Sequence, residues 1–229
     1  IANAVPTSGG TFTGAVTVQG NFSADGGTIK LDGNYPNGVN NVALGNTALD
    51  TASGSNGYSV AIGTNALTAM TSGGSNVAVG YASAAAITTG GNNVSVGSEA
   101  LDATTTGNSN VAVGSAALGA NTTASANTAV GYQAMQANTT ASYNVAVGYQ
   151  SLKANTTATN NVSVGAFSLA LNTTGEANTS VGLAAMDANT TGSNNVALGR
   201  EALGGNTTAS ENTAVGYEAS YTNTTGTAN

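Results

Sequence analysis

The sequence contains no histidine, no cysteine and no tryptophan. With them go imidazole acid–base chemistry, thiol nucleophiles, disulfides and His/Cys metal sites, and cysteine usage says nothing about redox compartment. Charge is nearly as scarce. Only 6% of the 229 residues are charged, against roughly 25% in ordinary soluble domains. Three Lys and Arg face ten Asp and Glu, a net charge of −7. That is the wrong sign for a phosphate backbone or an anionic lipid surface, so neither a nucleic-acid partner nor membrane insertion is expected. No apolar run approaches the roughly 20 residues of a spanning helix. No basic-then-apolar leader opens the chain and Ile1 is not an initiator methionine, which suggests an excerpt or a processed product.

What the sequence does have is a period. The tetrad Val42-Ala43-Leu44-Gly45 returns as Val60-Ala61-Ile62-Gly63 and as Val77-Ala78-Val79-Gly80. Its glycine recurs at Gly97, Gly114, Gly131, Gly148, Gly165, Gly182, Gly199 and Gly216, with a first step of 18 residues and 17 thereafter. Eleven copies are present; one runs from Asn144 to Asn160.

The second and fourth residues of each copy are Val, Thr, Ile or Leu. Period-two spacing of β-branched residues predicts a short strand. We assign these residues to the coil core: Val42, Leu44, Val77, Val79, Val111, Val113, Val145, Val147, Val196 and Leu198 among them. The small third residue then faces the opposite way. The repeat glycine suggests a bend, a positive φ or a close backbone approach. An Ala or Ser followed by Leu or Met (Ser151-Leu152) reads as a second short strand with one more core residue, and the Asn-Thr-Thr remainder as a turn. So short a unit cannot fold alone, but stacked copies bury a continuous column. The predicted fold is all-β, a β-solenoid or β-roll of eleven 17-residue coils over residues 41–229, on the order of 50 Å long at strand spacing.

Asn opens ten copies, at Asn41, Asn76, Asn93, Asn110, Asn127, Asn144, Asn161, Asn178, Asn195 and Asn212. In register these side chains form an amide ladder. Residues 1–40 lack the period. Two alternating segments joined by Gly-rich turns predict a small N-terminal β adaptor there.

Two resemblances are carried by these residues. Ser8-Gly9-Gly10-Thr11-Phe12-Thr13-Gly14, continued to Phe22, resembles Gly-Gly-Thr-x-Thr-Gly segments of bacteriophage tail-fibre proteins. The repeats from Asn41 onward resemble the Asn-x-Val-Ala-Val/Ile-Gly coils of tail fibres and of trimeric autotransporter adhesin heads, whose coils are usually shorter. Both families are homotrimers, so the resemblance implies a trimer. With Val and Leu inside, the third-position face, including Ala43, Ala78, Ala112, Ala129, Ala146, Ala197 and Ala214, becomes the expected contact between chains. Ala146→Arg is then expected to weaken the trimer, and Val147→Asp to collapse the coil.

Chemistry has few carriers. The carboxylates Asp50, Glu99, Asp102, Glu176, Asp187, Glu201, Glu211 and Glu218 fall at variable positions and read as solvated. Glu201 and Glu218, one repeat apart, form a repulsive pair rather than a glycosidase dyad. No catalytic, cofactor-binding or metal site is assigned. Seven Asn-Thr-Thr triplets begin at Asn121, Asn138, Asn155, Asn172, Asn189, Asn206 and Asn223; a repeated turn explains them more simply than glycosylation acceptors. Tyr81, Tyr132, Tyr149 and Tyr217 all follow the repeat glycine and mark a candidate surface contact, read as packing or rim contact ahead of a sugar site.

The expected function is structural: a rigid trimeric shaft of a phage tail fibre in the virion, joined to other tail proteins. Host attachment, to a surface glycan or protein, is expected at a tip beyond Asn229. The alternatives are a bacterial surface adhesin head binding host matrix or glycans and, third, an ice-binding solenoid.

Overall fold

The computed structural model describes residues 40–51 and 57–228. Apart from Asn40, the expected adaptor over residues 1–40 lies outside them. The described chain is a β-solenoid without helix. Eleven three-residue strands, from β1 (Val42–Leu44) through β7 (Val145–Val147) and β8 (Val162–Val164) to β11 (Thr213–Val215), form one parallel sheet in chain order. The register is uniform: between β7 and β8, Val145 pairs with Val162, Ala146 with Ser163 and Val147 with Val164. Equivalent residues therefore stack in columns the length of the rod.

The repeat glycine makes this stacking possible. Gly148 has φ +136, and a Cβ placed on it would lie 2.5 Å from the carbonyl oxygen of Gly165. The neighbouring coil's backbone occupies the space of a side chain, so the column admits only glycine.

The expected second strand is instead a turn. Gln150 (φ 52) and Leu152 (φ 51) both take the left-handed conformation, which breaks an extended segment. Such a residue costs about 1–2 kcal/mol. The turn recovers it through hydrogen bonds between coils: the N–H of Gln150 donates to Tyr132 O at 2.9 Å and that of Leu152 to Ser168 O at 3.0 Å. Leu152 is also fully buried.

The strand phase is the main correction to the sequence reading. The third-position residues Ala61, Ala78, Ala112, Ala129, Ala146 and Ala197 are completely buried. The residues assigned above to the coil core point outward instead. Val42, Val77, Val79, Val111, Val113, Val145, Val147 and Val196 are only partly covered, and Leu44 and Leu198 are 45% and 37% exposed. The reason is steric. The interior of most coils already holds a Leu or Met (Leu152, Met186, Leu203), an eighth-position Ala or Ser and one or two Asn side chains. The slot left opposite the strand fits a methyl or hydroxymethyl group, and a second branched side chain has no room. The expectations for Ala146→Arg and Val147→Asp therefore exchange places. A guanidinium at position 146 would disrupt the coil, and a carboxylate at position 147 would stand on its surface.

Candidate functional site

Two features set this solenoid apart: amide columns inside and an apolar column outside. The ten opening asparagines do stack. In the middle of the rod Asn178 Oδ1 accepts from the backbone N–H of Asn195 at 3.0 Å and from Asn195 Nδ2 at 3.1 Å. Asn178 Nδ2 in turn donates to Asn161 Oδ1 at 3.2 Å and to Gly192 O at 2.9 Å. In the second coil Ser59 holds this place; its N–H donates to Asn41 Oδ1 and its hydroxyl accepts from the Asn76 N–H.

A second amide column was not evident from the sequence. Asn121, Asn138, Asn155, Asn172, Asn189 and Asn206, the first residues of the Asn-Thr-Thr triplets, are fully buried. Asn138 Nδ2 donates to Asn121 Oδ1 at 3.1 Å, Asn155 to Asn138 at 3.0 Å and Asn189 to Asn172 at 2.8 Å. The two columns meet at a shared carbonyl. Gly192 O accepts from Asn178 at 2.9 Å and from Asn189 at 3.0 Å, so both of its lone pairs are used. The turn reading of the triplet is incomplete, because its Asn is a core residue. Buried amide nitrogens engaged in these bonds are also unavailable to a glycosyl donor in the folded chain. The signal lay in the same column nearer the start, where Met70 and Ile87 stand at the equivalent position.

The threonines of the triplets divide. The first donates its hydroxyl to the next coil, as Thr139 Oγ1 does to Thr156 O at 3.1 Å and Thr173 Oγ1 to Thr190 O at 3.0 Å. The second (Thr140, Thr157, Thr174, Thr191) is exposed. These second threonines form a single exposed row along the rod.

The tyrosines are exposed, and the structure brings two of the four together. Tyr132 and Tyr149 stack with centroids 5.4 Å apart, and Tyr149 meets Phe167 edge-on at 5.2 Å. Tyr81 belongs to an earlier coil, and Tyr217 lies beneath the Arg200 guanidinium at 5.5 Å. Arg200 also pairs with Glu201 at 2.8 Å, so Glu201 is not simply one half of a repulsive pair with Glu218. Burial, and then the charge of Glu99, raises the Asp102 carboxyl above the usual range. Burial does the same for Asp187, with a smaller contribution from Glu201. Among the described residues no group of three acidic side chains could hold a metal ion, and no helix is long and apolar enough to cross a membrane.

The outer strand face is partly exposed and apolar. The second and fourth residues of successive coils line up as two adjacent columns of Val, Ile, Leu and Thr running from β1 to β11. Large contiguous exposed apolar patches are uncommon on monomeric soluble proteins. No protein-family model, curated protein or solved structure matches this chain.

Proposed function

We propose that this chain is a shaft segment of a trimeric fibre, in which three copies pack their Val/Leu columns around a common axis. The reading carries over the resemblance of its repeats to phage tail fibres, with the contact face moved from alanine to valine. The observation that supports it is the continuous apolar outer face, which a single chain leaves half wet. Covering it removes branched side chains from water in every coil, at about 25 cal/mol per Å² of apolar area. The mechanism is mechanical. Backbone and amide ladders tie each coil to the next and resist bending and stretching, while the scarcity of charge on the strand face favours close packing of chains. In the virion such a shaft sets the reach of host attachment, connecting other tail proteins to a receptor-binding tip directed at a surface glycan or protein.

The test is the native mass of the chain by light scattering after size exclusion, with negative-stain images of the same fraction. A mass of three chains and a straight rod are expected. A single-chain mass at micromolar concentration would end the proposal.

A further inference from the structure

The repeat is broken locally between its eighth and ninth coils. Phe167 stands where the two preceding coils carry Gln133 and Gln150, and Ala184 follows it one coil later. Four residues after Phe167, Leu171 occupies a position that is Ala, Gly or Thr in the other copies. Beside it Ala170 falls between Lys153 and Asp187 in its column. Large residues next to small ones open a surface cleft of about 340 Å³. It is lined by the large apolar Phe167 and Leu171, the small Ala170 and Ala184, and the polar Lys153, Asp187 and Gln150.

The polar lining carries one charge of each sign, and the Asp187 carboxylate is met by the backbone N–H groups of Asp187 and Ala188. Arg200 is engaged by Glu201, but among the described residues neither Lys153 nor Asp187 forms an ion pair. They stand two coils apart, about 10 Å along the axis at strand spacing. Gln150 Nε2 donates to Gln133 Oε1 at 2.8 Å, which fixes the amide beside the cleft. Aromatic surface continues outward, since Phe167 packs on Tyr149 and Tyr149 on Tyr132.

We propose that this cleft binds a pyranose unit of a neutral glycan, with the glycan chain lying along the rod over Tyr149 and Tyr132. A sugar ring has an apolar C–H face and a hydroxyl edge. The rings of Phe167 and Tyr149 suit the face, and an ammonium, a carboxylate and an amide suit the edge. One positive and one negative group in the lining match a ligand without net charge. The volume is at the lower end of ligand pockets, roughly 300–1,000 Å³. The site is complete within one chain and does not depend on the fibre reading.

Three variants test it. Phe167→Gln and Leu171→Ala restore what neighbouring coils carry, and Ala184→Gln, at φ 52 like Gln150, fills the cleft with a residue the column already accepts. Each is expected to leave the melting temperature unchanged. Saturation-transfer NMR on the full chain would use methyl α-glucopyranoside, methyl α-mannopyranoside, methyl β-galactopyranoside and N-acetylglucosamine. We expect transfer from at least one at millimolar concentration, with roughly tenfold weaker binding in Phe167→Gln and Ala184→Gln, the equivalent of about 1.4 kcal/mol. No transfer from any of the four, or transfer that survives both variants, overturns the site. Light scattering on the same samples separates the two proposals: a sugar-binding monomer removes the fibre and keeps the cleft, and a trimer that binds none does the reverse.

Discussion

The two amide columns look alike in projection and differ in what their oxygens do. In the first, Oδ1 accepts a backbone N–H of the next coil and, in most coils, its side-chain amide as well, as Asn178 does from Asn195. In the second, Oδ1 accepts only from the next side chain, as Asn155 does from Asn172 at 3.3 Å. The first column recurs in every coil but one, where Ser59 supplies an oxygen for the same purpose. The second gives way in the earlier coils to Thr104, Ile87 and Met70, all fully buried. An amide that satisfies buried backbone is part of the coil's hydrogen-bond closure. One whose oxygen serves only the next side chain, and whose nitrogen shares a carbonyl the first column already holds, as Asn155 shares Ala158 O with Asn144, is more readily replaced by an apolar side chain of similar volume.

That contrast can be broken most directly in the first column. Asn178→Leu removes the acceptor of the Asn195 N–H inside the coil and is expected to cost about 3–5 kcal/mol, a drop in melting temperature of about 6–20 degrees. Thermal unfolding by circular dichroism measures it. The reverse exchange in the early coils comes next: Ile87→Asn places an amide between Met70 and Thr104 and should cost about 2–3 kcal/mol. Adding Met70→Asn should recover about 1 kcal/mol of that by laddering, and a double-mutant cycle reads the coupling. Asn155→Met should cost less, about 1–2 kcal/mol. After it, Asn172 Nδ2 still donates to Gly175 O at 2.9 Å, and Ala158 O still accepts from Asn144 at 3.0 Å.

The smallest effect concerns a polar group outside both columns. Asp102 is half-buried without a ladder, and burial raises its carboxyl pKa. The folded state therefore disfavours its charged form. The favourable contribution is present below the unfolded carboxylate pKa and fades as pH rises through the raised folded value. Asp102→Asn should raise the melting temperature slightly at neutral pH, and the gain should disappear by about pH 3. A gain independent of pH would show that the charge is not the cause.

The repeat itself, the glycine column and the first amide column were legible in the sequence because each is one residue type at one fixed spacing. The strand phase was not. Val145, Ala146 and Val147 are all compatible with burial, and the larger pair reads as the core unless the contents of the coil are known. Those contents were hidden in the triplets: Asn155 looks like turn chemistry, yet it stands in the column of Met70 and Ile87 and takes up the interior that Val145 and Val147 would have needed. The cleft at Phe167 was visible only as an irregularity, since nothing in one coil shows which side chains lie above and below it.

The inverted strand phase is the central claim, and a pair of lysine substitutions in one strand tests it most directly. Native mass and far-ultraviolet circular dichroism would be compared for Val147→Lys and Ala146→Lys. We predict that Val147→Lys keeps its β signal and loses assembly, eluting as a folded single chain from a parent of three. Ala146→Lys should instead lose the β signal, because the ammonium has no place beside the buried Leu152. An unfolded Val147→Lys with a folded, dissociated Ala146→Lys would contradict the account and return the valines to the core.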